Sequence, residues 1–131
     1  VLTFKEYTQN IYLVEVKTQA AAELDYLMGD CASFAIAFQR EYGGELYALY
    51  RRGKPLHTYV KHDTRNFDVK GLGTVRSMVR SMTGSTDITD WEEHGPFTPE
   101  TQPSKKPTDK KITQALEYIR ANKRRFDPSK N

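Results

Sequence analysis

Residues 45–70 read ELYALYRRGKPLHTYVKHDTRNFDVK, and this stretch decides the fold. Glu45–Arg51 alternates, with Leu46, Ala48 and Tyr50 on one side and Tyr47 and Leu49 on the other, the period of a strand. Arg52-Gly53-Lys54-Pro55 supplies turn residues. Leu56–Lys61 reads as a second strand, His62-Asp63-Thr64-Arg65 as a second turn, and Asn66–Lys70 as a third strand. Gly71 and Gly73 then break the pattern. A small antiparallel sheet of about three strands is the expectation. If Asp63-Thr64 is a two-residue turn, His62 faces Arg65, Tyr59 faces Asp68 and His57 faces Lys70. His57 and Asp68 then share one sheet face as diagonal neighbours, within side-chain reach. A slip of one residue would put them on opposite faces.

Upstream, the period changes to that of helices. Ala20, Ala21, Leu24, Leu27 and Met28 recur at three- and four-residue steps, which predicts a helix over 17–28. Gly29 ends it, and Asp30 is placed to cap a second helix from Cys31 to Tyr42 that stops at Gly43-Gly44. Earlier still, Thr3 and Glu6 form a capping-box pattern for a short helix over 2–11. Residues 12–16 read either as a strand or as the opening of the next helix.

Downstream, Thr74–Met82 reads as a short helix carrying Val75, Met78, Val79 and Met82 inward. Residues 83–107 are irregular, and Pro96, Pro99, Pro103 and Pro107 predict an extended arm. Thr108–Arg125 returns to helix, with Ile112, Ala115, Leu116 and Ile119 on one stripe. The fold class expected is α+β: N-terminal helices packed on a small antiparallel sheet, then a C-terminal helix. We divide the chain into an α+β domain over 1–104, with the arm from about 83, and a basic helix and tail over 105–131.

Composition narrows the classes. A chain of 131 residues predicts one domain. Its apolar runs are short, such as Phe34–Phe38, far below the roughly 18–20 residues that span a bilayer, so no membrane association is expected. The first residues already carry Lys5 and Glu6, so no signal peptide is expected. A single cysteine makes no internal disulfide and points to a reducing compartment. With three histidines and no paired spacing, a zinc site is not expected. The net charge of +3 is uneven: residues 105–131 hold nine Lys/Arg against three Asp/Glu. That segment is either a solvated helix face or a surface for nucleic acid or an acidic protein.

Three residues carry candidate chemistry. Cys31 directly follows Gly29-Asp30 at a helix start, where unpaired amides favour a thiolate and offer a donor to an oxyanion. His57 lies on the second strand and Asp68 on the third. Each also has a structural reading: Cys31 as a small buried hydrophobe, His57 as a strand residue, and Asp68 as a turn cap or an ion-pair partner of Lys70, Arg65 or Arg76. Their order and parity together favour a site. His62 falls in a turn. His94, within Trp91–Phe97, reads as a packed loop anchor or a flap over the site. Glu92, Glu93 and His94 do not form a metal motif. Gly71-Leu72-Gly73 lacks the rest of a dinucleotide fingerprint.

Gly29-Asp30-Cys31-Ala32-Ser33-Phe34-Ala35, then His57-Thr58-Tyr59-Val60, then Phe67-Asp68-Val69-Lys70-Gly71 resembles small papain-like and transglutaminase-like cysteine hydrolases of phage or bacterial type. The resemblance covers roughly residues 29–72. It implies Cys31 as nucleophile, His57 as general base and acid, Asp68 as orienting group, and no cofactor. It further implies an amide in a protein or peptide as substrate, a cytoplasmic bacterial setting and a host protein as target. Where papain-like proteases place a Gln before the cysteine, this chain has Asp25, which leaves protease, deamidase and transglutaminase-like chemistry all open. The competing expectation is a non-enzymatic interaction protein. It would use Lys110, Lys111, Arg120, Lys123, Arg124 and Arg125 as its working surface.

Overall fold

The computed structural model describes residues 16–131. The helix expected over 2–11, and the stretch 12–16 apart from Val16, lie outside the described residues. The rest is α+β. In chain order the elements are α1 (Gln19–Met28), α2 (Cys31–Tyr42), β1 (Glu45–Arg51), β2 (Lys54–His62), β3 (Arg65–Asp68), β4 (Gly71–Gly73), α3 (Val75–Thr83), β5 (Trp91–Phe97), α4 (Asp109–Ala121) and α5 (Lys123–Phe126). The strands form one antiparallel sheet in the order β4-β3-β2-β1-β5. Among the described residues, no helix is long and apolar enough to cross a membrane.

Two tight turns set the register of the central strands. Arg52 and Gly53 have φ of 52° and 80°, and Asp63 and Thr64 have φ of 48° and 66°. Such left-handed pairs twist in the sense of the flanking strands and so close two-residue hairpins. The second turn pairs His62 with Arg65, Lys61 with Asn66 and Val60 with Phe67. This is the register expected from the sequence as far as the ladder runs.

The sheet is covered on both faces, which is why His57, Thr58, Tyr59 and Val60 are all buried although they alternate in direction. On one face, Leu46, Val60 and Phe67 pack with α1, α2, α4 and α5. On the other, Leu49 and Tyr59 pack with Met78 and Val79 of α3 and with Trp91. All eight residues from Cys31 to Phe38 are buried, so α2 is a central helix rather than an amphipathic surface one. Gly44 lets the chain turn from α2 into β1 tight against β2: its φ is 98°, and a Cβ there would stand 2.7 Å from a Val60 methyl.

Three expectations are corrected. The sheet has five strands rather than about three. Among the described residues the two unforeseen strands are the outer ones: β4, where Gly71 and Gly73 read as a break, and β5, which lies inside the supposed arm. Of its residues only Trp91 is buried, so no alternation marks it, and Pro96 is tolerated because the strand is an edge. The third strand stops at Asp68, where Val69-Lys70 turns into β4. Asp68 Oδ1 accepts the Lys70 N–H at 2.9 Å and holds that turn. The C-terminal helix breaks at Asn122 into α4 and α5. Ile112, Ala115, Tyr118, Ile119 and Phe126 from these helices belong to the main core, and the Phe126 ring meets Phe34 edge-on at 5.1 Å. The basic segment is therefore continuous with the body of the protein.

Candidate active site

The site forms where β2 outruns β3. The ladder between these strands involves only residues 60–62 of β2, so Thr58 lies past its end. The Thr58 N–H donates to Cys31 Sγ at 3.4 Å instead. The first residue of α2 thus plugs onto an open strand edge. Asp30 occupies the N-cap position of α2 but makes no capping bond. Its carboxylate receives Lys111 Nζ of α4 at 2.9 Å, which ties the start of α2 to α4.

His57 and Asp68 meet as the shared face requires. His57 Nε2 lies 2.9 Å from Asp68 Oδ2, with His57 fully buried and Asp68 3% exposed. The other ring nitrogen, Nδ1, is buried and makes no hydrogen bond among the described residues. Cys31 is the ring's other titratable neighbour, and each shifts the other's ionisation. The ring stacks on Tyr59 at 6.2 Å between centroids, which fixes its plane. Tyr59 in turn donates its hydroxyl to Glu93 of β5, and Lys61 Nζ lies 3.0 Å from the same carboxylate. Burial and then the Glu93 carboxylate hold the Tyr59 hydroxyl well above its ordinary pKa.

The electrostatics couple thiol and imidazole. Burial opposes ionisation of Cys31. The hydrogen bond and charge of His57, the Thr58 N–H and the Ser104 hydroxyl outweigh it and bring the thiol below its ordinary value. Burial also opposes the imidazolium, but the Asp68 hydrogen bond, the neighbouring Cys31 and the charges of both raise His57 to about 9. A sulfur of lowered pKa beside an imidazole of raised pKa favours transfer of the thiol proton to the ring. The position of Cys31 at the first turn of a 12-residue helix adds the helix dipole to the same balance.

All three candidate residues therefore come together. The other two histidines do not join them. His62 Nε2 lies 3.2 Å from the Tyr42 carbonyl, and His94, on β5, pairs with Glu92 and packs against Tyr50. Three polar residues at the sulfur were missed in the sequence: Thr58, Gln102 and Ser104. Ser104 Oγ lies 3.6 Å from Cys31 Sγ and 2.6 Å from Thr58 Oγ1. The Thr58 hydroxyl donates to Gln102 Oε1 at 3.0 Å. Gln102 is 6% exposed, an unusual depth for a glutamine between prolines. Nothing in local periodicity marks this segment, because its contacts are with residues 44 and more positions away. Compared with known proteins, the chain matches no family model, no curated protein and no solved structure.

Proposed function

We propose that Cys31, His57 and Asp68 form the catalytic centre of a cysteine-dependent amide hydrolase or acyl transferase on a papain-like or transglutaminase-like core. The observation that carries this reading is one buried imidazole held by a carboxylate on Nε2, on the strand whose next residue, Thr58, rests its N–H on the sulfur of a thiol at a helix start. In this scheme Cys31 Sγ attacks the carbonyl carbon of an amide. The tetrahedral oxyanion takes the Cys31 N–H as one donor. His57 gives its proton to the departing nitrogen, the C–N bond breaks and a thioester remains. Water, or an amine in the transferase case, then loses a proton to His57 and attacks the thioester, returning Cys31 to the thiolate. Asp68 keeps the ring oriented throughout and favours its charged form each time it takes up a proton. The substrate is a protein or peptide amide, and the resemblance favours a host protein in a bacterial cytoplasm.

The test is covalent labelling. Cys31 is the only cysteine, so intact mass reads its alkylation directly. Iodoacetamide should label it with a pH midpoint below that of an ordinary thiol, and His57→Ala should slow labelling at neutral pH. A p-nitrophenyl ester should give a burst of about one nitrophenolate per chain, absent in Cys31→Ser. An unshifted midpoint together with no burst overturns the reading.

One observation favours the second reading, a surface for nucleic acid or an acidic protein. A cleft at the C-terminal end of α4 is lined by Arg120, Lys123, Arg124 and Arg125. Arg120 and Arg125 are engaged by Glu41 and Glu23, but Lys123 and Arg124 are exposed. Because α4 and α5 are part of the core, removing them is no test. Lys123→Glu with Arg124→Glu should abolish salt-sensitive retention on heparin if this surface works.

A further inference from the structure

We propose that residues 102–104 form a releasable cover over the Cys31 sulfur, so that the protein rests closed and admits an acyl substrate only when this strap lifts. The inference rests on the catalytic reading of Cys31 and adds its control. Cys31 is 5% exposed, and on the sulfur stands Ser104, itself only half-buried. A carbonyl carbon must come within roughly 3–3.5 Å of the sulfur to react. Ser104 Oγ stands at the edge of that shell at 3.6 Å, and with Cys31 otherwise enclosed, an acyl group approaching from the strap's side must displace it.

The strap is built as a preformed unit with few attachments. Gln102 Nε2 donates to the Ser104 carbonyl and Gln102 Oε1 accepts the Ser104 N–H, both at 2.9 Å, so these bonds shape the strap from within. A Thr98–Thr101 turn precedes it: Thr98 N donates to Thr101 Oγ1, and the Gln102 N–H donates to the Thr98 carbonyl. Thr108, the N-cap of α4, follows. Lys105 and Lys106 between them are exposed. The side-chain hydrogen bonds from Gln102 and Ser104 to the body run to Thr58 Oγ1 and to Cys31 Sγ.

The experiment measures iodoacetamide labelling of Cys31 in the full chain. Gln102→Ala should speed it by roughly tenfold or more, the factor expected from losing hydrogen bonds of ordinary neutral strength. The same factor should appear in the His57→Ala background, since a cover acts whatever the state of the thiol. Ser104→Gly, which removes only the hydroxyl over the sulfur, should give a smaller gain and serves if Gln102→Ala does not fold. In the unmodified chain, the Ser104 amide should exchange with solvent faster than amides of α2. Labelling unchanged or slower in both variants, or a Ser104 amide that exchanges only with the core, overturns the cover. If Gln102→Ala accelerates labelling while His57→Ala has no effect, the cover stands and the catalytic reading falls. The reverse pattern keeps the triad and discards the cover.

Discussion

Asp68→Asn isolates the charge behind the imidazole. The substitution keeps the shape and a carbonyl oxygen for His57 Nε2 while the negative charge is lost, and its NH2 then faces the Lys70 N–H, which it cannot accept. In the native site burial pushes His57 toward neutrality, and the Asp68 hydrogen bond is the largest influence that reverses it. A hydrogen bond to a charged group is worth about 1.5–3 kcal/mol. At about 1.4 kcal/mol per unit, that moves the His57 pKa down by about 1–2 units. The thiolate loses the same support, because its partner charge is the imidazolium. The pH profile of Cys31 alkylation should therefore shift upward by about 1–2 units. On the acid side of the midpoint, labelling should fall by about 10–100-fold. The assay is intact-mass labelling at fixed reagent across pH 5–10, with circular dichroism to verify folding. Asp68→Ala, which removes both acceptors, should shift the profile at least as far and lower stability further than Asp68→Asn. A profile for Asp68→Asn that superimposes on the native one would refute the reasoning and leave Asp68 with the turn alone.

Other outcomes follow from the same geometry. His57→Ala leaves burial of Cys31 unopposed by the ring, so its midpoint should rise, and native and variant rates should converge at alkaline pH. His57 has a folded pKa raised from 6.5 to about 9, so its contribution to stability is full below 6.5 and is lost as pH climbs through about 9. The free energy of urea unfolding should thus decline between those values, by at most about 3–4 kcal/mol, and the decline should vanish in His57→Ala. Phe126→Ala should cost about 3–5 kcal/mol by equilibrium unfolding, because that ring is fully buried against Phe34 and Tyr118. A cost near zero would place the C-terminal turn outside the core.

Much of the site is legible in the chain because it depends on short-range rules. Strand period and a two-residue turn place His57 and Asp68 on one face, and the observed pairing of His62 with Arg65 realises that register. Gly29, together with the 12-residue run from Cys31, sets the start of α2. Where the reading fails, the local signal is absent or overridden. β5 carries the pattern of a loop, since an edge strand needs neither alternation nor freedom from proline. Asp30 sits where a cap belongs, yet Lys111, 81 residues away, takes its carboxylate.

Order along the chain, helix starts and strand parity are local properties, and they set which side chains share a face. Whether the thiol is open or covered is not local. That outcome depends on Gln102 and Ser104 crossing to Thr58 and Cys31, contacts of 44 and 73 residues' separation that no periodicity encodes. Burial of a glutamine and a serine is tolerable only when every polar atom finds a partner, and those partners exist only once the chain has closed around β2.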